Sequence, residues 1–368
     1  MRIAIVFGTR PEIIKLSPIV KSLKKRYRKN LLLVHTGQHY SPSLSSVFLN
    51  ELALPSPDLN LGVVEESNGR QVDKMVSALA RAFKGKEPAL VVAEGDTNSV
   101  LAAALVSAKM GVPFAHVEAG LRSFDLNMPE EVNRIMADHL ALLNFAPTKT
   151  AVGNLQAEGV DRKTIFLTGN PIVEATTKNL HKAKKSRILE RLSLEEGAYV
   201  VLTAHRQETV DVKPRLKAVL SAVAKFKEPV IYPVHPRSLK MLKRFGLFNK
   251  FKNHSNLSFI EPLGYLDFLN LCSHSKLMVT DSGGIQEEAT IYKKPVIIVR
   301  NNTERPEVLG RHGVLAGYSV KKILEAYKQF NRSGGGKPFA GSSPFGDGKA
   351  GHRIVERINC FVDSVRQD

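Results

Sequence analysis

The sequence predicts an α/β protein made of two Rossmann-like domains facing each other across a cleft, and three observations carry that expectation. Short apolar runs recur along the whole chain, each closed by a polar or glycine-bearing turn, as buried strands are. Helical periodicities separate those runs, and strands alternating with helices imply parallel sheets covered by helices on both faces. The chain is 368 residues long, more than one hydrophobic core usually serves.

In the first half the runs 3–7, 31–35, 90–93, 114–117, 143–146 and 165–168 read as strands. Between them Val72, Met75, Val76, Leu79 and Phe83 share one helical face. Thr-Gly-Asn-Pro at 168–171 marks a hinge before a charged helix. The second half repeats the plan with runs at 199–203, 230–234, 257–260, 277–280 and 296–300. The Gly/Ser-rich stretch 333–351 reads as a long loop and 354–365 as a closing helix. The expected division is an N-terminal domain over 1–169 and a C-terminal domain over 170–351, with 352–368 packing back on the first.

Composition narrows the function class. Hydrophobic residues make up 43% and charged residues 24%, the balance of an ordinary globular protein. Cys272 and Cys360 offer neither a disulfide framework nor metal-ligand spacing, so a cytoplasmic, reducing setting without a bound metal is expected. The opening apolar run 3–7 is too short for a signal segment or a bilayer span, and no membrane association is expected. The formal charge of +18 sits largely in Lys-rich helical stretches such as 21–29 and 178–187. With little aromatic interleaving and no Trp, these read as solvated surface rather than a nucleic-acid footprint. The same field attracts an anionic small substrate.

Chemistry gathers at the strand ends. Asp281-Ser282-Gly283-Gly284 follows the strand at 277–280 and opens a helix near Ile285. Glycines admit a ligand to the backbone, and a helix N-terminus offers unpaired N–H groups, so a diphosphate fits there. Glu287 and Glu288 follow in the first turn, where a carboxylate suits a ribose diol. An ordinary Asp/Ser cap with dipole-favoured glutamates explains the same letters, and the motif alone leaves both open. Arg10, in the turn after the first strand, and Lys15, one turn into the first helix, suit pyrophosphate oxygens, or equally a solvated surface. Asp96 and Glu118 end consecutive strands, and Glu130 and Glu131 follow Pro129 at a helix start. Carboxylates brought to one rim suit general acid–base work. His205 and His235 end successive strands of the second half. No G-x-G-x-x-G follows the first strand, where a nicotinamide site would carry it, and the 334–337 run lacks the spacing of a P-loop, so no cofactor is expected.

These segments together resemble the non-hydrolysing UDP-N-acetylglucosamine 2-epimerases. The resemblance runs in order through 8–15 (GTRPEIIK), 36–39 (TGQH), 94–98 (EGDTN), 116–122 (HVEAGLR) and 129–134 (PEEVNR). It continues through 205–208 (HRQE), 281–289 (DSGGIQEEA) and 303–307 (TERPE) to 346–349 (GDGK). It implies a GT-B-type fold with the active site between the domains, interconverting UDP-N-acetylglucosamine (UDP-GlcNAc) and UDP-N-acetylmannosamine (UDP-ManNAc). The reaction it implies is anti elimination of UDP to 2-acetamidoglucal, then re-addition. By motif position, Asp96, Glu118 and Glu130 resemble the acid–base carboxylates and His205 the essential histidine. Arg10 and Lys15 resemble phosphate-side partners, Ser282, Gly283 and Gly284 the phosphate cradle, Glu288 the ribose contact and Phe268 the uracil-side wall. Arg305 and His235 also count among the substrate contacts. Gln38 and His235 lie in motifs that many bacterial relatives use for a second, regulatory UDP-GlcNAc, although 235–238 (HPRS) departs from the usual pattern there. The expected partners are UDP-GlcNAc and UDP, with a homodimer as the assembly. Other readings are a hydrolysing epimerase of the same fold, a glycosyltransferase, and a UDP-sugar-binding regulator without activity.

Overall fold

The computed structural model describes residues 1–38, 48–65, 67–332 and 341–365. His39 of the 36–39 motif, positions 333–340 of the expected loop and the last three residues lie outside them. The described chain is α/β and divides into two compact units, Met1–Ala175 with Phe345–Asp368, and Thr176–Pro344.

The first unit holds β1 (Arg2–Phe7), β2 (Leu31–His35), β3 (Leu59–Asn60), β4 (Pro88–Glu94), β5 (Phe114–Val117), β6 (Leu143–Ala146) and β7 (Ile165–Leu167). They form one sheet in the order β3-β2-β1-β4-β5-β6-β7, every pair parallel. The central strands are buried along nearly their whole length, because crossover helices cover both faces and leave no polar side to the sheet. Ala4, Val6, Val34, Val91 and Ala93 meet Met75, Leu79 and Phe83 of the helix Asn68–Phe83 in one apolar cluster. The two-residue β3 has no apolar run to announce it. It pairs with β2, where the Asp58 carboxylate also accepts from Leu33 N at 2.8 Å.

The second unit holds β8 (Val200–Thr203), β9 (Val230–Pro233), β10 (Leu257–Ile260), β11 (Leu277–Thr280), β12 (Val296–Ile298) and β13 (Gly313–Leu315). Their order is β10-β9-β8-β11-β12-β13, again all parallel. A second apolar cluster around Val200, Leu202, Val219, Tyr232, Val279 and Ile297 packs this sheet. The glycine-led β13 is the other strand that periodicity does not announce.

The unit boundaries fall where local bonds put them. Asn170 N donates to Phe345 O at 2.8 Å, and Gly351 N donates to the Glu174 carboxylate at 2.8 Å. Those bonds tie the start of the helix Pro171–Ala183 to the first unit. The helix Ala350–Ser364 packs against Arg10–Tyr27, where Tyr27 Oη donates to Asn359 at 2.9 Å and Arg26 meets Asp363 at 2.8 Å. That helix begins at Ala350, four residues before the expected start at 354.

Candidate active site

Ligands of doubly wound sheets meet the carboxyl ends of strands at the point where strand order reverses. In the first unit that point lies between β1 and β4. Gly8 follows β1, and a Cβ there would overlap Ser99 Oγ and Thr36 Oγ1. Only glycine lets these chain segments converge. Thr9 caps the helix Arg10–Tyr27 reciprocally with Glu12. The Glu12 carboxylate accepts Gly8 N at 2.9 Å, Thr9 N at 2.6 Å and Thr97 Oγ1 at 2.7 Å. Burial nevertheless raises its pKa from an ordinary 4.5 to about 6.

One turn further, Lys15 is buried rather than open to a phosphate. Its ammonium lies 3.1 Å from Glu94 Oε1 and bonds Glu118 Oε2 directly. Asn170 Nδ2 donates to the same Glu118 oxygen at 2.8 Å. A lysine one turn into the helix is drawn inward because two carboxylates at the ends of β4 and β5 leave charge there to be neutralised. Burial drives the Glu94 pKa well above the ordinary carboxylate range, against the pull of Lys15. Glu118 itself sits at φ +74°, a left-handed conformation that costs a non-glycine residue energy and recurs at functional sites.

Asp96, half-buried after β4, takes Arg134 Nη2 at 2.8 Å and Nε at 3.1 Å on one oxygen. Arg134 also pairs with Glu131, whose carboxylate accepts Ser123 N at 3.0 Å and Phe124 N at 2.8 Å. Of the two adjacent glutamates, the buried Glu131 therefore braces the loop after β5, while Glu130 is half-buried at the head of the helix Pro129–Leu140. Arg10 is half-buried with its guanidinium 4.8 Å above the Phe48 ring, and burial lowers its pKa.

In the second unit the reversal lies between β8 and β11, which brings together the His205 turn and the Asp281–Gly284 turn. Asp281 is fully buried and accepts His205 N at 2.9 Å and Arg206 N at 2.9 Å. It shapes one turn from the other. The His205 imidazole takes no hydrogen bond among the described residues and stands 5.8 Å, ring centre to ring centre, from exposed His235. Ser282 occupies the N-cap position of the helix Gly283–Tyr292, its side chain making no capping hydrogen bond. The two glycines differ in kind. A Cβ on Gly283 would stand 2.5 Å from Arg305 Nη1 and 2.8 Å from Glu304 Oε1, whereas at Gly284 nothing lies nearer than 4.0 Å. Gly283 thus makes room for protein, and Gly284 leaves open space at a helix N-terminus.

Beneath Gly283, Arg305 Nε donates to Glu287 at 2.8 Å and pairs with Glu304, which also holds Arg300 at 2.7 Å and Arg206 at 3.3 Å. Arg305 and Glu287 are buried structural charges there. Glu288 accepts the Tyr292 hydroxyl at 3.2 Å, and Phe268 lies half-buried in the helix Tyr265–Ser273. Sequence reasoning passed over Glu94, Arg134 and Asn170. Glu94 and Arg134 stand inside motifs already quoted, and Glu94 is the last residue of β4, which was the available signal. No group of ligating side chains that could hold a metal occurs among the described residues, and no described helix is long and apolar enough to cross a membrane.

Two doubly wound parallel sheets, each carrying ionisable or anion-ready groups where its strand order reverses, define a two-unit α/β protein with the architecture of a nucleotide-handling enzyme. Residues 21–359 match the family of UDP-N-acetylglucosamine 2-epimerase. The chain is 44% identical over 364 residues to the UDP-N-acetylglucosamine 2-epimerase of Methanocaldococcus jannaschii, covering 96% of this chain and 98% of that one. The crystal structure of the M. jannaschii enzyme with UDP-GlcNAc and UDP superposes with a TM-score of 0.92 at 43% identity, covering 98% of this chain and 99% of the other. A UDP-2,3-diacetamido-2,3-dideoxy-D-glucuronate 2-epimerase of Pseudomonas aeruginosa is 34% identical, with 97% and 99% covered. The chain belongs to the UDP-N-acetylglucosamine 2-epimerase family, whose members are isomerase-type enzymes.

Proposed function

We propose that this protein is a non-hydrolysing UDP-GlcNAc 2-epimerase that interconverts UDP-GlcNAc and UDP-ManNAc. The observation that carries the reading is the buried Glu118, gripped on one oxygen by Lys15 and Asn170 at the end of β5. A buried carboxylate held in one orientation by fixed donors is placed to exchange a proton with a bound substrate.

In the proposed reaction a carboxylate of the Asp96, Glu118 and Glu130 set removes the C2 proton. The C2–H electron pair forms the C1=C2 bond of 2-acetamidoglucal, and the C1–O bond breaks so that UDP leaves with its electron pair. UDP then adds back to C1 while a second acid delivers a proton to the opposite face of C2. Negative charge grows on the diphosphate as C1–O lengthens. The proposed donors to it are Ser282, the N–H groups around Gly284, and His205, with Arg10 on the phosphate side. Glu288 is the proposed ribose contact, Phe268 the uracil-side wall, and His235 a further substrate contact beside His205. The buried pairings of Lys15 and Arg305 favour roles through Glu118 and through the Gly283 turn over direct phosphate binding.

The test is incubation with UDP-GlcNAc in deuterated water, without nicotinamide or metal, followed by proton NMR. UDP-ManNAc carrying deuterium at C2 is the expected product. Free N-acetylmannosamine with UDP would assign the hydrolysing reaction instead, and an unchanged spectrum would refute epimerisation of this substrate.

A further inference from the structure

The proposed acid–base carboxylates hang from one buried pair that the reaction itself does not use. His116 is the third residue of β5, in register with Ala93 of β4 and Asn144 of β6, and is completely buried. Its Nε2 lies 2.7 Å from Gly95 O, and its Nδ1 lies 2.6 Å from Asp138 Oδ1. Gly95 immediately precedes Asp96 and sits at φ +87°, so the direction in which its carbonyl is pulled sets the peptide that carries Asp96. The other Asp138 oxygen accepts Gly120 N at 3.1 Å and Arg122 Nη2 at 2.7 Å. Gly120 lies two residues past Glu118, at φ +83°, and is packed so closely on Ala151 O that a Cβ would overlap it. Asp138 belongs to the helix Pro129–Leu140, whose first turn carries Glu130. The turn of Asp96, the turn of Glu118 and the helix of Glu130 therefore converge on two side chains.

We propose that the buried His116–Asp138 pair is a clamp that fixes Asp96 and Glu118 relative to one another, a positioning pair for the epimerisation proposed above, on which this inference rests. Both ends of the pair grip backbone, and both grip it at glycines in left-handed conformations, which have the widest freedom to drift if released. A buried polar pair adds little net stability over apolar residues of the same volume, so what this one contributes is geometry. Burial alone would raise the Asp138 carboxyl, yet attraction and hydrogen bonds from His116 and Arg122 hold it below the ordinary range, which keeps it an acceptor for Gly120.

Asp138→Ala releases Gly120 and His116 together. Asp138→Asn keeps an oxygen for Gly120 and an N–H directed at the imidazole, so the shape of the clamp survives without the charge. His116→Gln keeps an N–H near Gly95 but lets go of Asp138. The three variants are compared with wild type for kcat and KM with UDP-GlcNAc, for UDP affinity by calorimetry, and for amide hydrogen exchange of the 94–98 and 118–123 turns. The clamp predicts that Asp138→Ala loses about a hundredfold in kcat, the scale set by misplacing a reacting group by about 1 Å. UDP affinity stays unchanged, exchange in both turns quickens, and Asp138→Asn recovers most of the rate. A folded Asp138→Ala with wild-type kcat overturns the proposal, and so does Asp138→Asn being as impaired as Asp138→Ala. If Asp138→Ala does not fold, His116→Gln decides: lowered kcat with unchanged UDP affinity supports the clamp, and wild-type kcat overturns it. A wild type that fails to epimerise refutes the functional reading alone, because amide exchange still judges the clamp without turnover.

Discussion

Gly283 and Gly284 are adjacent, identical in the sequence and different in their surroundings, so replacing each by alanine separates the roles of packing and ligand. Neither has a positive φ, and the backbone itself accepts a side chain at both. In Gly283→Ala the new methyl meets Arg305 Nη1 at 2.5 Å and Cζ at 2.7 Å, and the guanidinium has to leave Glu287 and Glu304. Their side chains are 4%, 0% and 0% exposed, so the displaced charges find little water. Breaking a buried ion pair costs about 3–5 kcal/mol, and the lower end applies because Arg300 still serves Glu304. At about 2–4 °C per kcal/mol for a unit of this size, the melting temperature falls by roughly 6–12 °C. Gly284→Ala meets nothing, and restricting the unfolded chain stabilises the protein by about 0.5 kcal/mol. Its methyl enters the space that the proposed diphosphate site requires, so UDP affinity drops by at least about tenfold, or about 1.4 kcal/mol. Scanning calorimetry and UDP titration of both variants are the assays. A Gly283→Ala protein that melts like wild type refutes the steric argument. A Gly284→Ala protein that binds UDP like wild type refutes the phosphate site.

Asp96→Asn removes a proposed proton carrier from the first unit and leaves the second untouched. Turnover should fall by at least about a hundredfold with UDP affinity intact, and unchanged turnover would dismiss Asp96 from the chemistry. Gly8→Ala forces a methyl onto Ser99 and Thr36, and an overpacked core site costs about 1–3 kcal/mol; urea unfolding that matches wild type would contradict that packing. The Glu12 pKa, raised by burial from 4.5 to about 6, sets a sign for pH dependence. The folded state holds this proton more tightly than the unfolded chain. Its contribution to stability is therefore full below pH about 4.5 and is lost as pH rises through about 6, a change of about 2 kcal/mol. Glu12→Gln abolishes this component, so wild type minus variant stability should fall across that window, and a flat difference would show that Glu12 is not shifted.

The strand ends were legible because a buried parallel strand has to be an apolar run and the turn after it has to be polar. That is why 31–35, 114–117, 143–146, 257–260 and 277–280 coincide with β2, β5, β6, β10 and β11. β3 escaped because two residues are too short for a period, and β13 because it opens on a glycine and is only partly buried, so neither makes an apolar run. Among site residues, Asp96, Glu118 and His205 were legible for the same reason as the strands, since each closes one. Lys15 was legible as a cation near the rim but not as a buried one, because what neutralises it arrives from β4 and β5.

By itself, then, the sequence determined the α/β class, the alternation into two sheets, the motifs of the epimerase family and the residues at each strand end. These depend on local periodicity and on which residue types a turn tolerates. Only the tertiary structure decided that Lys15 serves Glu94 and Glu118, that Arg305 fills the space beside Gly283 while Gly284 faces open space, and that His116 joins the turns of Asp96 and Glu118 through Asp138. Each of these is a contact between segments far apart in the chain. Their meeting is set by crossover geometry and strand order, which no local pattern of letters encodes.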